Sequence, residues 1–478
     1  MRAMCEIKDW RAKAIFFVLP VIFFAQSSCK KNTRREEAYK IMIVSNITLI
    51  FFHCICSRQS FFYFMEKSAF ILIFFVIVCF GCSQNRQGNL RFSEEQIAQL
   101  GLNNIQPLNI LNENSLKIDL SDFLSDKETP ISEFVESMIY IPLQTTKESL
   151  IGEIRKIIYL DNYVFIFDPY ISKTVFIFSN DGIFIKKIPI GQGPQDIFRP
   201  IDFAVDEQQE HLIIYNSYRL SFYDYQGNFV KRESLPFNFH NFRVLPNGYL
   251  FVSVANIYNI HLEAASEMQV IITDKNFRII SVGFPFHYSK SLNYSITDYT
   301  SSFGNDVNFA FKFSDKIYRY VDTLTIIEDY HLDFARKGLP SRYLEMSWDD
   351  VQKALNSTSY YFFMGDYVEN STHESFQIKN LSKKSPLTVV FRDKTSGKLK
   401  GGSNFIDDGK IFMFTAPFTS YKDEFIGAFD AYNIYLSLLE LKKDEKNKAA
   451  FDRLNALFGY LEEDANPILV KYKLKNFN

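Results

Sequence analysis

Eight polar side chains occupy corresponding points of successive sequence repeats, and their types allow two kinds of chemistry. They stand near the starts of short apolar runs: Glu153, Arg155, Arg199, His240, Asn241, Asn305, Asp306 and Asn404. Polar groups that converge on one axis could bind a single ligand. An acid with several Asn side chains would also suit Ca²⁺, which takes oxygen ligands. Strand ends are also polar simply because water reaches them, so a purely structural role stays open.

Familiar catalytic motifs are missing from the sequence. It contains no His-Glu-x-x-His, no Gly-x-Ser-x-Gly and no P-loop. The loop that begins Gly191-Gln-Gly-Pro resembles a phosphate-binding loop, but it follows an apolar run and precedes no helical pattern. We interpret it as a turn between repeats. The sequence therefore leaves enzymatic activity undecided and favours its absence.

The elements that must position these residues recur with a nearly constant period. In the clearest block, apolar runs at 163–168 and 174–178 precede an Asp-Gly turn and a further run at 183–188. Asp-Gly between apolar runs is a strong hairpin signal, because the turn needs positive φ. Equivalent turns are centred near positions 181, 226, 275 and 322, at intervals of 45, 49 and 47 residues. About four short strands in each such unit predict the blades of a β-propeller.

The C-terminal part supplies further strands and a helical segment. Apolar runs at 386–393 and 410–414 predict strands of two more blades. Residues 422–463 are rich in Leu, Ala, Glu and Lys, with apolar residues three and four apart, which predicts two helices. The run 466–474 then predicts a last strand that pairs with a strand near 138–143. Such pairing would close the ring and remove exposed sheet edges.

The composition agrees with a β-rich fold and excludes one class of partner. Of the 478 residues, 47% are hydrophobic and 17% aromatic, with 50 Phe and 27 Tyr. Aromatic side chains pack well on a pleated sheet. The formal net charge of −2 excludes a nucleic-acid binder that relies on overall basicity. The expected fold class is all-β: a six-bladed β-propeller over residues 115–478, with a helical insertion at about 422–463.

The region around Met65 predicts export from the cytoplasm. Residues 65–81 have a short charged start, an apolar run at 69–80 and a small residue before Cys82, as in a secretory signal. The apolar run is too short for a comfortable membrane span. With Cys82 directly after Gly81, the segment resembles a bacterial lipoprotein signal, which implies that Cys82 is acylated and becomes the mature N-terminus; the alternatives are a simply cleaved signal and an uncleaved anchor. Residues 82–114 are polar and predict a tether.

Residues 1–64 do not fit a signal that begins at Met65. They contain two further apolar runs, at 14–26 and 41–56, which we interpret as an over-extended start; genuine membrane segments are the alternative. All six cysteines lie within the first 82 residues, so the body of the chain cannot form disulfides. Without residues 1–81 the chain has 42 Lys and Arg against 50 Asp and Glu, a net charge of −8. This charge disfavours binding to anionic lipid or nucleic acid.

Three motifs carry a resemblance to a known family. They are the stretch 140–157, the loop 191–200 with its Gly-x-Gly-Pro sequence, and the stretch 463–470. Together they resemble the six-bladed, NHL-like β-propeller lipoproteins common in Bacteroides-type bacteria, over about residues 115–475. The resemblance implies an exported lipoprotein of largely uncharacterised function. Asp196-Ile197 departs from that family's usual Glu-aromatic pair.

Three functional hypotheses follow. The first is a lipid-anchored envelope protein that binds or scaffolds a glycan, a peptide or an envelope protein, without cofactor or nucleic acid and with the membrane contacted only through its anchor. No acidic run follows Cys82, which favours the periplasmic side of the outer membrane over the cell surface. The second is a Ca²⁺-dependent hydrolase or lactonase that uses the eight polar residues, although a fold does not imply a function. The third is a structural lipoprotein whose channel is filled by Phe203 and Phe251.

Overall fold

The structure is a computed structural model, and its description covers most of residues 92–478. The description leaves out residues 217, 254–258, 287–299, 408–412 and 444–447 within that span. The predictions for residues 1–91, including the signal and acylation at Cys82, lie outside the described residues. Six sheets of four core strands each confirm the predicted all-β, six-bladed β-propeller.

Blades 1 to 3 follow one another in the chain, each beginning with its innermost strand. Blade 1 consists of Lys156–Tyr159, Tyr163–Asp168, Thr174–Ser179 and Phe184–Lys187. Blade 2 consists of Asp202–Asp206, His211–Tyr215, Arg219–Asp224 and Phe229–Ser234. Blade 3 consists of Asn241–Leu245, Gly248–Val252, Met268–Asp274 and Ile279–Pro285.

Blades 4 and 5 repeat this order, and blade 6 combines both ends of the propeller. Blade 4 consists of Thr300–Phe303, Asp306–Ala310, Lys316–Asp322 and Thr325–Asp333. Blade 5 consists of Phe362–Glu369, His373–Lys379, Leu387–Asp393 and Leu399–Gly402. Blade 6 consists of Thr419–Tyr421, Glu424–Phe429, Ile468–Leu474 and, as its outermost strand, Val135–Pro142.

The ring closes in blade 6 as the sequence predicts. Strand Ile468–Leu474 pairs antiparallel with Val135–Pro142, and Val470 stands opposite Tyr140. The side chains of Val470 and Tyr472 are buried in the apolar core that blade 6 shares with blade 5. The first and last parts of the propeller are therefore held together by one sheet.

The Asp-Gly turn of blade 1 shows why a glycine is needed there. Gly182 has φ +89°, in the left-handed region that favours glycine. A Cβ at this position would lie 2.3 Å from the carbonyl oxygen of Pro142. The turn therefore packs directly on the outermost strand of blade 6, which a larger residue would prevent.

The N-terminal segment, residues 92–134, includes residues 92–114 of the predicted tether 82–114, and this part packs against the propeller. It begins with the helix Glu94–Gln99, and Leu100 is buried in the core between blades 2 and 3. Short strands then add in parallel to blade edges: Gln106–Pro107 to blade 3, and Asn109–Leu111 and Leu116–Asp119 to blade 4. The polar composition concealed a few well-placed Leu and Ile side chains, which fix the segment against the propeller.

Replacing Leu100 with Ala tests this docking. The side chain is 2% exposed, so its truncation should lower the free energy of unfolding by about 2–4 kcal/mol through lost burial and the cavity left behind. Chemical denaturation monitored by circular dichroism measures the loss. The control is Leu111→Ala, because Leu111 is 42% exposed and its truncation should cost less than about 0.5 kcal/mol. Equal, small effects of both changes would indicate a loose tether after all.

The helical insertion is shorter than predicted. Residues 424–429 form the second strand of blade 6, and the helices are Ala431–Leu441 and Lys448–Phe458. The Asp430 side chain caps the first helix by accepting the N–H of Tyr432 at 3.0 Å. The predicted start at 422 was wrong because the apolar residues of the strand also match a helical spacing. Elsewhere, the helix Trp348–Ser357 lies between blades 4 and 5.

The antiparallel order of each blade gives the disc two different faces. Connections between strands 1 and 2, and between strands 3 and 4, lie on one face, which we call the turn face. Connections between strands 2 and 3, and those that lead from one blade to the next, lie on the other, which we call the loop face. The helical pair belongs to the loop face, since it joins strands 2 and 3 of blade 6. Within the described part of the chain, no helix combines the length and apolar character needed to cross a membrane.

Candidate functional site

The structure separates the eight predicted site residues. Glu153, Arg155, Arg199 and His240 precede first strands on the loop face, and Asn241 begins the first strand of blade 3. They belong to three different blades, and Glu153 and Arg199 are exposed. These five residues therefore lie at the loop-face end of the blades.

The other three residues lie elsewhere, so the prediction of one shared site was wrong. Asn305 and Asp306 are in and beside the turn between strands 1 and 2 of blade 4, on the turn face. Asn404 begins a short strand that pairs with Glu128–Pro130 of the N-terminal segment. The sequence analysis missed Thr300–Phe303 as the first strand of blade 4, because its Thr and Ser residues lack the apolar pattern of the other first strands.

A buried ion pair links blades 1, 2 and 3 near the axis. Lys156 Nζ lies 2.7 Å from Asp202 Oδ1 and donates a hydrogen bond to the carbonyl oxygen of Phe203, also at 2.7 Å. The second carboxylate oxygen of Asp202 accepts the N–H of Phe242 at 3.0 Å. Both charged side chains are almost fully buried. These groups satisfy one another and hold three blades in register.

A second buried carboxylate links blades 4, 5 and 6. The Glu369 carboxylate accepts hydrogen bonds from Asn308 and Lys394, and its carbonyl oxygen accepts one from the hydroxyl of Ser420. Burial raises the pKa of Glu369, while Lys394 and Asn308 oppose this increase. The polar side chains near the axis therefore bind neighbouring blades together. Among the described residues, no three His, Cys, Asp or Glu side chains come together in an arrangement that could hold a metal ion.

The two aromatic residues expected to fill the channel pack between blades instead. Phe203 is buried against Phe167 of blade 1, at 5.7 Å between ring centres. Phe251 lies on the second strand of blade 3 and packs against Phe239, with 4.5 Å between the ring centres. The prediction that these rings fill the channel was wrong, because both side chains belong to the cores between adjacent blades.

His240 is held in a neutral form by its surroundings. Burial lowers the pKa of its imidazole to about 4, against 6.5 for the model compound. Protonation should therefore destabilise the fold as the pH falls from 6.5 to 4, because the unfolded chain binds the proton more readily. From the size of the shift, the loss should be about 2–3 kcal/mol. Urea denaturation at a series of pH values measures it; in the His240→Gln variant this part of the slope should vanish. An unchanged slope would contradict the assignment.

A cleft of about 920 Å³ opens between blades 3, 4 and 5. Its floor is aromatic: Phe284 ends blade 3, and Phe311 and Phe313 belong to the connection between strands 2 and 3 of blade 4. These three rings are only partly buried. The ring centres of Phe284 and Phe311 lie 5.2 Å apart, and those of Phe313 and Phe362 also lie 5.2 Å apart. The floor therefore offers aromatic surface that the fold does not fully cover.

Charged side chains of both signs surround this floor. Lys316 lies 2.7 Å from Glu328, and the imidazole of His331 lies 3.2 Å from the carboxylate of Asp315. On the outer side, Lys117 lies 2.7 Å from Asp333, and its pKa is raised by this contact. A rim of ion pairs around an apolar floor offers both charged donors and charged acceptors to a ligand.

Lys312 adds a perturbed amine to the cleft. Burial and then the positive charge of Lys379 lower the pKa of Lys312 to about 8. Its Nζ lies 5.0 Å from the centre of the Phe313 ring, close enough for a cation–π contact. An acidic group on a bound ligand would favour the charged amine, so binding there would depend on pH.

Sequence reasoning missed this cleft for a topological reason. Its walls come from the N-terminal segment, blade 3, blade 4 and the connection to blade 5, which lie far apart in the chain. Tyr361 and Phe362, at the end of that connection, are buried and line the cleft. The available signal was the run Phe311 to Lys316, where aromatic and charged residues meet in a turn.

The chain is similar to a described family and to solved structures. A family described as a domain of unknown function (DUF4934) matches residues 115–473. A solved structure of a protein described as exported, from Bacteroides fragilis, is similar with a TM-score of 0.60 and 18% identity, over 77% of this chain and 100% of that chain. A member of the DUF4221 family from Bacteroides vulgatus aligns with a TM-score of 0.44 and 12% identity, over 72% and 98% of the two chains. No protein of curated function matches the sequence.

Proposed function

This chain belongs to the DUF4934 family, a domain of unknown function, and we propose that it is an envelope-located binding protein whose cleft between blades 3, 4 and 5 holds a peptide segment of another envelope protein. The propeller fold and its similarity to an exported protein are compatible with a binding or scaffold role. We further propose that Cys82 carries the lipid anchor and that the propeller faces the periplasm. The proposal involves no cofactor and no nucleic acid.

The partly exposed aromatic floor of the cleft carries this proposal. An apolar or aromatic side chain of a peptide could bury itself against Phe311 and Phe313, as anchor residues do in protein interfaces. The paired rim charges could exchange partners with the charged side chains of the peptide. A rim of both signs suits a peptide better than a uniformly acidic glycan. The volume of about 920 Å³ is that of a typical ligand-binding cleft.

The hydrolase alternative lacks a comparable basis. The eight residues from which it was inferred lie on both faces of the disc and at its rim, so they do not form one reaction site. The buried carboxylates of Asp202 and Glu369 are engaged in links between blades. We therefore propose binding without catalysis.

A peptide selection followed by calorimetry tests the proposal. The fragment 82–478 contains the whole closed ring and serves as the bait for displayed twelve-residue peptides. Selected peptides should bind it, and Phe311→Ala or Phe313→Ala should weaken binding at least about tenfold by removing an aromatic contact. The control is Ile183→Ala, which removes an exposed apolar side chain at the rim of blade 1 and should leave affinity unchanged. Thermal melting confirms that each variant is folded.

Two outcomes would contradict this function. Peptides that bind equally well to both Phe variants would place the site elsewhere. Failure to select any peptide, together with saturable binding of an oligosaccharide that the Phe variants lose, would replace the peptide with a glycan.

A further inference from the structure

We propose that the loop face of the disc rests on the lipid bilayer, with its exposed apolar loop tips inserted among the headgroups. This inference depends on the proposed lipid anchor at Cys82. It adds a second, protein-mediated contact with the membrane, which fixes the orientation of the propeller.

Large apolar side chains are exposed at the tips of loop-face connections around the disc. Among the described residues, the most exposed are Ile260 of blade 3 at 76%, Ile171 of blade 1 at 66% and Tyr460 beside the helical pair at 58%. Further exposed members of this set are Leu150, Tyr170, Ile190, Phe198, Met346, Leu381, Phe418, Tyr432, Leu436, Leu439 and Leu457. Tyr432, Leu436 and Leu439 recur along one side of the helix Ala431–Leu441, because residues four and three apart share a helical face.

The turn face is different in character. Its connections between strands 1 and 2 expose polar and charged residues, such as Asp161 in blade 1, Glu207 and Glu210 in blade 2, and Asn305 in blade 4. Its connections between strands 3 and 4, at the outer edge of the disc, expose a few apolar residues such as Ile183 and Leu324. Among the described residues, exposed large apolar side chains are therefore more numerous on the loop face than on the turn face.

The chain enters the propeller on the loop face. The ring centre of Phe92 lies 5.3 Å from the ring centre of Tyr218 and 5.3 Å from that of His261. Tyr218 and His261 belong to the connections between strands 2 and 3 of blades 2 and 3. Phe92 is ten residues from Cys82, and a fully extended chain of this length spans at most about 35 Å. An acyl group on Cys82 would therefore keep the membrane close to this face.

A bilayer fits this surface better than a protein partner does. The exposed tips come from separate loops with charged residues such as Lys173 and Glu263 nearby, whereas a protein interface needs a continuous apolar core. Tyr side chains suit the headgroup region, where one end is apolar and the other is wet. The net charge of −8 without residues 1–81 argues against electrostatic capture, so the contact should be apolar. The anchor keeps the tips at high local concentration, so weak insertion is enough.

The cleft stays open in this orientation. It reaches the rim of the disc, where Ile110, Asn112 and Lys117 of the N-terminal segment line it. A peptide could therefore enter from the side while the loop face contacts lipid. The bound peptide and the bilayer would contact different parts of the loop face, so the two proposals are compatible.

Chemical anchoring tests the orientation without depending on acylation in the cell. In the fragment 82–478, Cys82 is the only cysteine, so it can be coupled to a maleimide lipid in vesicles of phosphatidylcholine and phosphatidylethanolamine. Hydrogen exchange of the coupled protein should slow roughly fivefold at 170–172, 260–262 and 436–439 relative to the free protein. Exchange at the turn 304–306 should not change. Exchange rates that are the same in the coupled and the free protein at every segment would overturn the inference, and so would protection confined to the turn face.

Matched variants and a test in cells separate the possible failures. The parent protein for this test carries Cys82→Ser, and only a small fraction of it should float with the same vesicles. In the variant that also carries Ile171→Ser/Ile260→Ser/Leu436→Ser, this fraction should be about tenfold smaller. The rim variant Ile183→Ser/Val230→Ser/Val321→Ser should float like its parent. If both variants float equally, insertion of the tips is wrong. Metabolic labelling with palmitate reports acylation of Cys82 separately, so its failure would remove the anchor of the proposed function and leave the vesicle result intact.

Discussion

Replacing Asp202 with Ala should lower the free energy of unfolding by about 3–5 kcal/mol, since a buried ion pair loses one partner. The change leaves the ammonium of Lys156 buried without the carboxylate that lies 2.7 Å away. It also removes the acceptor of the Phe242 N–H, so that blades 1, 2 and 3 lose a shared contact. Urea denaturation monitored by fluorescence and circular dichroism measures the loss.

The control for this prediction removes both charges. In Lys156→Met/Asp202→Leu no charge remains buried, so the double variant should be more stable than Asp202→Ala by about 1–4 kcal/mol. The sequence reasoning focused on Arg155 and overlooked the adjacent Lys156. If Asp202→Ala unfolds at the same urea concentration as the parent, the pair does not hold the inner strands together.

Replacing Asp168 with Ala should have a comparably large effect, about 3–5 kcal/mol, because several backbone N–H groups lose a charged acceptor at once. One carboxylate oxygen accepts the N–H groups of Gly152, Glu153 and Ser172, and the other accepts those of Tyr170 and Ile171. Asp168 thus fixes two loop-face connections of blade 1. Thermal and chemical denaturation of the variant measure the loss.

The same carboxylate predicts a dependence on pH. Burial raises the pKa of Asp168, but the backbone N–H donors lower it by more, so the pKa of Asp168 lies below its ordinary value of 3.8. A depressed pKa in the fold stabilises it above pH 3.8, and this stabilisation is lost as the pH falls through the folded pKa. Asp168→Asn, which keeps one acceptor oxygen, should lie between the parent and Asp168→Ala at pH 7. An Asn variant as unstable as the Ala variant would show that packing, rather than the acceptor, matters.

The periodic parts of the fold could be predicted from sequence. Turns such as Asp181-Gly182 predict hairpins because the turn needs residues that tolerate a positive φ, and the spacing of the turns along the chain predicts blades. The closing strand 468–474 was also predictable, because an unpaired final strand would leave two open sheet edges. These features depend on neighbouring residues or on one global requirement.

What the sequence concealed depends on contacts between distant segments. Thr300–Phe303 is a first strand because blades 3 and 5 flank it, not because its residues favour strands. Leu100 docks between blades 2 and 3 although its neighbours are polar. The cleft forms only when Phe284, Phe311 and Phe362 from three blades come together, so local pattern could not reveal it. The eight polar residues were assigned by counting from strand starts, and a single missed strand shifted Asn305 and Asp306 to the opposite face.

Locating a bound peptide by hydrogen exchange tests the central claim most directly. A peptide selected on the 82–478 fragment is added to saturation, and exchange is compared with and without it. Exchange should slow at 311–316 and 334–339, which line the cleft, and should not change at the turn-face segments 207–210 and 304–306. Protection at the turn face with none at 311–316 would contradict the assignment of the cleft as the binding site.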